Sequence, residues 1–247
     1  MNINHTSENT LIERLFDVGA HFGFTKSRRH PTTSPFIFGN KQGTDIIDLE
    51  QTVLSLEKAK EVCTEAGKAG KHVLFVGTKE EIAVTVKAHA EQAKMPYVVN
   101  RWVGGMLTNF SEIKKRVARL NDLIAQGESG ELERKYTKKE RVVIGRELAK
   151  LSHNFSGIQH MERLPHALVI VDPRHDSIAV EEATFLKIPI IAIASSDTNI
   201  RPIAYPIVAN DALQGSVSFI LDELVTAYTD GVSAYTPVPV RREDARR

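Results

Sequence analysis

The sequence predicts an α/β fold, a doubly wound parallel sheet of about five strands with an inserted antiparallel two-helix coiled-coil hairpin. Three observations predict it. Five short apolar, β-branched runs recur along the 247 residues, helix-like stretches alternate with them, and between 111 and 163 the strand signal gives way to a helical period.

The chain opens on MNINHTSENT, which is polar and has no apolar h-region. No apolar run approaches the roughly 20 residues that span a bilayer, so neither export nor membrane insertion is indicated and a cytoplasmic location is expected. Cys63 is the only cysteine, which removes any internal disulfide framework or multi-cysteine zinc cluster.

From Arg14 to Lys41 there are five Lys and Arg and a single acid, Asp17. Within it, HFGFTKSRRHPTTSPFIFG interleaves Phe22, Phe24, Phe36 and Phe38 with Lys26, Arg28 and Arg29. Glycine and proline punctuate the stretch, so an irregular loop ending in a short strand is expected. Cations beside aromatics in a loop suit a phosphate backbone and exposed bases. The alternative is a solvated loop whose phenylalanines are buried.

The apolar runs at 72–77, 97–100, 167–172, 188–194 and 205–210 are short enough for strands and apolar enough to be covered on both faces, as parallel strands are. Helices are expected at 48–66, 79–94, 177–187 and 211–229. Asp48 with Gln51, and Thr78 with Glu81, have the spacing of capping boxes at two helix starts.

NRWVGGMLTNFSEIKKR, at 100–116, holds the only tryptophan, a Gly104-Gly105 pair and three consecutive cations, Lys114, Lys115 and Arg116. Two glycines in a row permit a tight reversal or a close backbone approach. Asn109 is placed to cap the next helix, with Glu112 reciprocal. Arg101 and Trp102 suit stacking or clamping on a ribose-phosphate surface, whereas the alternative has Trp102 plugging the base of the hairpin. Beyond this junction, Ile113, Val117, Leu120 and Ile124 repeat the four, three, four spacing that returns in Ile144, Leu148, Leu151 and Phe155. Two such seams predict the antiparallel hairpin, with a capping box at Thr137 and Glu140. Simple crossover helices are the alternative, though connections are usually shorter. The hairpin has 12 Lys and Arg against 8 Asp and Glu, so it carries +4 while the whole chain carries +1.

The enzyme-like feature is Asp172, His175, Asp176 and Asp197, which follow two expected strands where α/β enzymes bind ligands. The same residue types are ordinary turn formers, and Asp176 or Ser177 suits a helix cap. No dinucleotide fingerprint, Walker loop, His-Glu-x-x-His or C-x-x-C occurs. The turn Gly77-Thr78-Lys79 suits a phosphate, which an RNA would supply as well as a nucleotide. Residues 233–247, ending VRREDARR, are expected to be a flexible charged tail.

GAHFG at 19–23, PFIFG at 35–39, FVGTK at 75–79, NRWVGGMLTN at 100–109, TKKE at 137–140, LPHALVIVD at 164–172 and DTN at 197–199 occur in one order along the chain. Together they resemble the bacterial-type small-subunit ribosomal protein S-two family. The resemblance implies a flavodoxin-like sheet with a protruding two-helix coil, built from 1–110 with 164–232 as core and 111–163 as insert. It implies binding to small-subunit ribosomal RNA, neighbouring ribosomal proteins including ribosomal protein S-one, and no enzymatic activity, cofactor, metal or small-molecule substrate. By motif it carries over His21, Phe22, Gly23, Arg101, Trp102, Gly104, Gly105, Thr108 and Asn109. The sequence departs from the family pattern at Arg201, where an acid is usual, and at Ala209 and Ala212, where glycine and aspartate are. Those changes weaken an ion or phosphate role for that acidic loop. The expected RNA contacts are therefore His21, Phe22, Lys26, Arg28, Arg29, Arg101, Trp102, Thr108, Asn109, Lys114, Lys115 and Arg116, with phosphates as the main target.

Overall fold

The computed structural model describes residues 4–235, so the expected tail lies outside the described residues from 236 onward. A first helix, α1 (Asn4–Asp17), leads into three strands, β1 (Phe22–Thr25), β2 (Ile37–Lys41) and β3 (Thr44–Ile47), with 3-10 turns at Lys26–Arg28 and Pro31–Phe36. These strands form an antiparallel sheet in the order β1-β3-β2. The sequence reading expected a loop with one strand here, and two of the three strands escaped it. Each is four residues long; β1 has no buried position, and β3 alternates in burial but puts the charged Asp45 beside Ile47 on its inner face, which masks the pattern. The tight connection between β2 and β3 is Gln42-Gly43, both at positive φ (52° and 84°), flanked by the pair Lys41 and Thr44. A two-residue hairpin turn of that hand matches the twist of its strands.

The main body follows: α2 (Leu49–Lys68), β4 (Val73–Val76), α3 (Glu80–Gln92), β5 (Tyr97–Val98), α4 (Phe110–Glu128), α5 (Glu131–Lys135), α6 (Lys138–Phe155), β6 (Ala167–Val171), α7 (Ser177–Phe185), β7 (Ile190–Ala194), β8 (Tyr205–Val208) and α8 (Gln214–Ser233). All five apolar runs form strands, in the all-parallel order β5-β4-β6-β7-β8. Counted along this sheet alone the order is 2-1-3-4-5, a doubly wound arrangement whose chain direction switches between β4 and β6.

The sheet's two faces are read directly from strand parity. Val73, Phe75, Val169, Val171, Ile191 and Ile193 face a cluster completed by α2, α3 and α8, while Leu74, Val76, Leu168, Ile170, Ile190 and Ala192 face one completed by α4, α6 and α7. Every residue of β4, β6 and β7 is buried. That explains why these strands are continuously apolar instead of alternating.

Helices α4 and α6 run antiparallel, with Arg119 Nε 3.3 Å from Glu147 and Lys114 Nζ 3.3 Å from the Glu162 carbonyl. All eight residues of the two predicted seams belong to or pack against the second cluster. The Thr137–Glu140 capping box is formed in both directions. Asp48 caps α2 through Glu50 N–H at 3.0 Å. Its own N–H goes to the Phe36 carbonyl at 2.9 Å instead of to Gln51, so the expected box there is only half formed, and the other two expected boxes are not formed. Thr78 has a partner elsewhere, so α3 starts one residue later with Lys79 at its cap and no side-chain bond. Asn109 occupies the cap of α4 without a bond to its backbone, and Glu112 pairs with Lys115 instead.

Candidate nucleic-acid interface

The junction between β5 and α4 is held by one carboxylate. Glu182, on α7, is 7% exposed and lies in the apolar stripe of that helix with Ala179 and Ala183. Its Oε1 accepts from Trp102 Nε1 at 3.1 Å and Gly105 N–H at 2.7 Å. Its Oε2 accepts from Leu107 N–H, Thr108 N–H and Thr108 Oγ1, each at 3.0 Å. Burial pushes this carboxyl upward, but the donors from Thr108, Trp102, Leu107 and Gly105 outweigh it and hold the carboxyl below its ordinary range. Gly105 sits at φ 87°, so the loop can turn its N–H groups onto one carboxylate without a side-chain clash.

Trp102 is accordingly 6% exposed and plugs the base of the arm. Of the two readings of this tryptophan, the structure favours the plug, because its ring has no open face to offer a base. Thr108 likewise spends its hydroxyl on Glu182. Arg101, Asn109 and Arg116 are exposed around this fixed loop, and neither arginine is in an ion pair among the described residues. Lys114 bonds only to a backbone carbonyl. Lys115 is partly neutralised by Glu112 at 2.6 Å.

The first loop differs. Gly23 leaves no room for a side chain, because a Cβ would lie 3.0 Å from Ser196 Oγ and 3.2 Å from the Asp45 carbonyl. Phe24 N–H donates to that same Ser196 Oγ at 2.8 Å, tying β1 to the end of β7. Arg29 forks onto both oxygens of Asp45, with Nε 2.7 Å from Oδ2. Asp45 is fully buried and also receives Asn40 Nδ2 at 3.2 Å. The Arg29 hydrogen bonds hold the Asp45 carboxyl low against the opposing effect of burial, and Asp45 raises Arg29 in return. Arg29 is thus engaged by a carboxylate of its own chain, unlike Lys26.

His21 is covered by its neighbours. It stacks on Phe16 at 4.3 Å and lies against Phe22 at 4.0 Å, its Nδ1 has no partner, and burial lowers its pKa. A neutral, covered imidazole offers no charge to a phosphate. Phe22 stays exposed at its side. Arg28 lies over the Phe24 ring at 4.7 Å and 4.0 Å from Asp197, which Arg174 also contacts. Lys26 is exposed with no ion pair among the described residues.

At the carboxyl ends of β4 and β6, where the sheet switches direction, the crevice is stapled by its own side chains. Thr78 donates to Asp176 from its N–H at 3.2 Å and its hydroxyl at 2.8 Å. Lys79 reaches Asp172 at 3.3 Å. The Gly77-Thr78-Lys79 turn, expected to suit a phosphate, has carboxylates of its own chain as its anions. Burial, reinforced by Asp172 and then Asp197 against the pull of Lys79, pushes the nearby Asp211 up to about 7. Asp172, which adopts φ 59°, receives His175 N–H at 3.1 Å, a turn role for two of the four residues of the enzyme-like feature.

Glu182 had escaped the sequence reading. A signal was present: of the two adjacent glutamates of α7, Glu181 and Glu182, the second falls in the stripe of Ala179 and Ala183, a charged residue at a core position. The residues it serves lie 74 to 80 positions away, and no local pattern connects them.

Residues 15–231 match the family model described as Ribosomal protein S2. Over 238 residues the chain is 41% identical to the small ribosomal subunit protein uS2 of Solidesulfovibrio magneticus, covering 95% of this chain and 91% of the relative. It is 40% identical to the protein of the same name from Fusobacterium nucleatum over 235 residues, 94% of each chain. It is 42% identical to that of Nocardia farcinica over 225 residues, 90% of this chain and 78% of the relative.

Proposed function

The chain belongs to the ribosomal protein S2 family, and from that premise we propose that it is a structural, non-enzymatic constituent of the small ribosomal subunit in the cytoplasm, binding small-subunit ribosomal RNA and neighbouring ribosomal proteins, ribosomal protein S-one among them. In this reading residues 1–110 with 164–232 are the scaffold and 111–163 an inserted arm.

The observation that carries the RNA reading is the contrast at the junction. One buried carboxylate fixes the loop by five hydrogen bonds, while Arg101, Lys114 and Arg116 around it keep no carboxylate partner among the described residues. Cations on a rigid loop contact phosphates with little ordering cost, and their pairing releases counterions. Lys26 is the corresponding cation of the first loop, with Phe22 and Arg28 beside it and Asn109 and Lys115 at the junction. His21, Trp102 and Thr108 act by shaping these surfaces.

The test is a salt titration of binding between the full chain and a transcript of small-subunit ribosomal RNA. Each phosphate contact contributes roughly 0.7–0.9 to the slope of log affinity against log salt. Arg101→Glu with Arg116→Glu should weaken binding and reduce that slope by about 2. Binding indifferent both to salt and to this double reversal would overturn the reading.

A further inference from the structure

The strands' amino-terminal ends, opposite the neutralised switch point, carry a basic groove. A cleft of about 750 Å³ is lined by Lys71, His72, His160, Glu162, Arg163 and His166. An adjoining cleft of about 320 Å³ shares His72 and His160 and adds Lys94. The segments that build it lead into β4 and β6 and are joined where His166 N–H donates to the His72 carbonyl at 2.8 Å. From this geometry we propose that the groove is a second RNA site, taking the sugar-phosphate backbone of a ribosomal RNA segment. The proposal rests on the RNA-binding reading above and adds a face that reading does not use.

Three features argue for it. First, Lys71, Lys94 and Arg163 are exposed, and none of the ion pairs among the described residues involves them. At the other end of the sheet, Lys79 and Arg174 are each held by an aspartate. Two acids line the groove, Glu91 and Glu162, against the three cations, and Glu91 is offset by Lys87 at 3.8 Å, which leaves the groove net positive. Second, two clefts in line that share a wall make an elongated groove, and a chain of phosphates fills such a shape where a compact ligand would not. Third, the groove continues into the junction, because Lys114 donates to the Glu162 carbonyl at 3.3 Å. One RNA segment can then run from the free cations of α4 into the groove. Imidazole N–H groups of His72 and His160 supply directed donors to phosphate or ribose oxygens alongside the guanidinium of Arg163.

The experiment compares three full-length proteins on the small-subunit RNA transcript across a salt series: wild type, the triple variant Lys71→Ala, Lys94→Ala, Arg163→Ala, and Arg101→Ala with Arg116→Ala. Circular dichroism and unfolding midpoints establish that the variants are folded. The triple variant should raise Kd on the order of tenfold or more and lower the salt slope by about 2–3. In parallel, cross-linking of wild type within intact small subunits should place nucleotides on His72 or His160. If the triple variant binds as wild type does while the junction variant is weakened, the groove proposal falls and the RNA reading stands. If neither variant is weakened, or wild type does not bind, both fall. Cross-links from the groove to an acidic protein segment in place of RNA would likewise overturn the proposal, even if the triple variant failed to fold.

Discussion

Replacing Glu182 should unfasten the junction without touching any residue on its outer surface. Five donors converge on this carboxylate at 2.7–3.1 Å, and two of them, Trp102 Nε1 and Leu107 N–H, belong to residues no more than 6% exposed. Each buried donor left without an acceptor costs about 1–3 kcal/mol, and uncoupling a buried charged partner costs about 3–5 kcal/mol. Glu182→Ala should therefore lose about 3–5 kcal/mol, a large share of the 5–15 kcal/mol typical of a domain. Glu182→Gln keeps the volume but turns an NH2 toward either two donors or three, and should lose about 2–4 kcal/mol. Because the native carboxyl titrates below its ordinary range, its contribution is complete above the unfolded value of about 4.3 and is lost as pH falls through the lower native value. The gap between wild type and Glu182→Gln should thus be full at neutral pH and shrink in acid. Urea unfolding followed by the fluorescence of Trp102, the only tryptophan, measures both. A Glu182→Gln midpoint equal to wild type at neutral pH would refute the reasoning, and a gap unchanged in acid would refute its electrostatic part.

Two further outcomes follow from pairs the structure assigns. Arg29→Ala strands the fully buried Asp45 with Asn40 as its remaining side-chain partner and should cost about 3–5 kcal/mol in denaturant unfolding. Its RNA affinity, measured where the variant is fully folded, should match wild type, and a selective loss of affinity at unchanged stability would return Arg29 to the phosphate contacts. Asp211 carries the opposite sign from Glu182. Its native carboxyl is raised to about 7, so the folded state keeps a proton that the unfolded chain releases, and stability declines as pH rises from about 4 to 7. Asp211→Asn retains an oxygen for Ser195 N–H, at 3.2 Å in wild type, and should flatten that decline by a few kcal/mol, read as unfolding midpoints at pH 5 and pH 8. Parallel pH profiles for the two proteins would exclude Asp211 as the cause.

Legibility divides by sequence distance. The five parallel strands depend on contiguous apolar runs, the seam from Ile113 to Ile124 and its counterpart from Ile144 to Phe155 on residues recurring every three or four positions, and the structure contains them all. The capping box at Thr137 is equally local and is formed. Thr78 with Glu81 has the same spacing, but Asp176, 98 residues away, claims both the hydroxyl and the N–H of Thr78. Tertiary pairing overrides a local preference worth about 1 kcal/mol. The short strands β1 and β3 were missed for another reason: β1 buries none of its four residues, and β3 has a period of two in burial but fills one buried position with Asp45, an acid whose partner Arg29 lies 16 residues away.

Charge was misjudged in the same way, and this bears directly on function. Between Arg14 and Lys41 the sequence counts five cations and one acid, which suggests a strongly basic loop. The fold then brings Asp45 to Arg29, Asp197 to Arg28 and Glu223 to Arg14, across 16, 169 and 209 residues, so the field that reaches solvent is carried mainly by Lys26 and Lys41. At the junction the counting error runs the other way. Trp102 and Thr108 turn inward to Glu182, and because they do, Arg101 on the loop and Arg116 on the start of α4 are presented by a junction that does not need them for its own stability. A cation is available to RNA only if the fold has already satisfied its neighbourhood by other means. By that criterion the strongest positions lie at the junction and along the groove below it, while the aspartates at the strands' carboxyl ends serve chiefly to balance cations of their own chain.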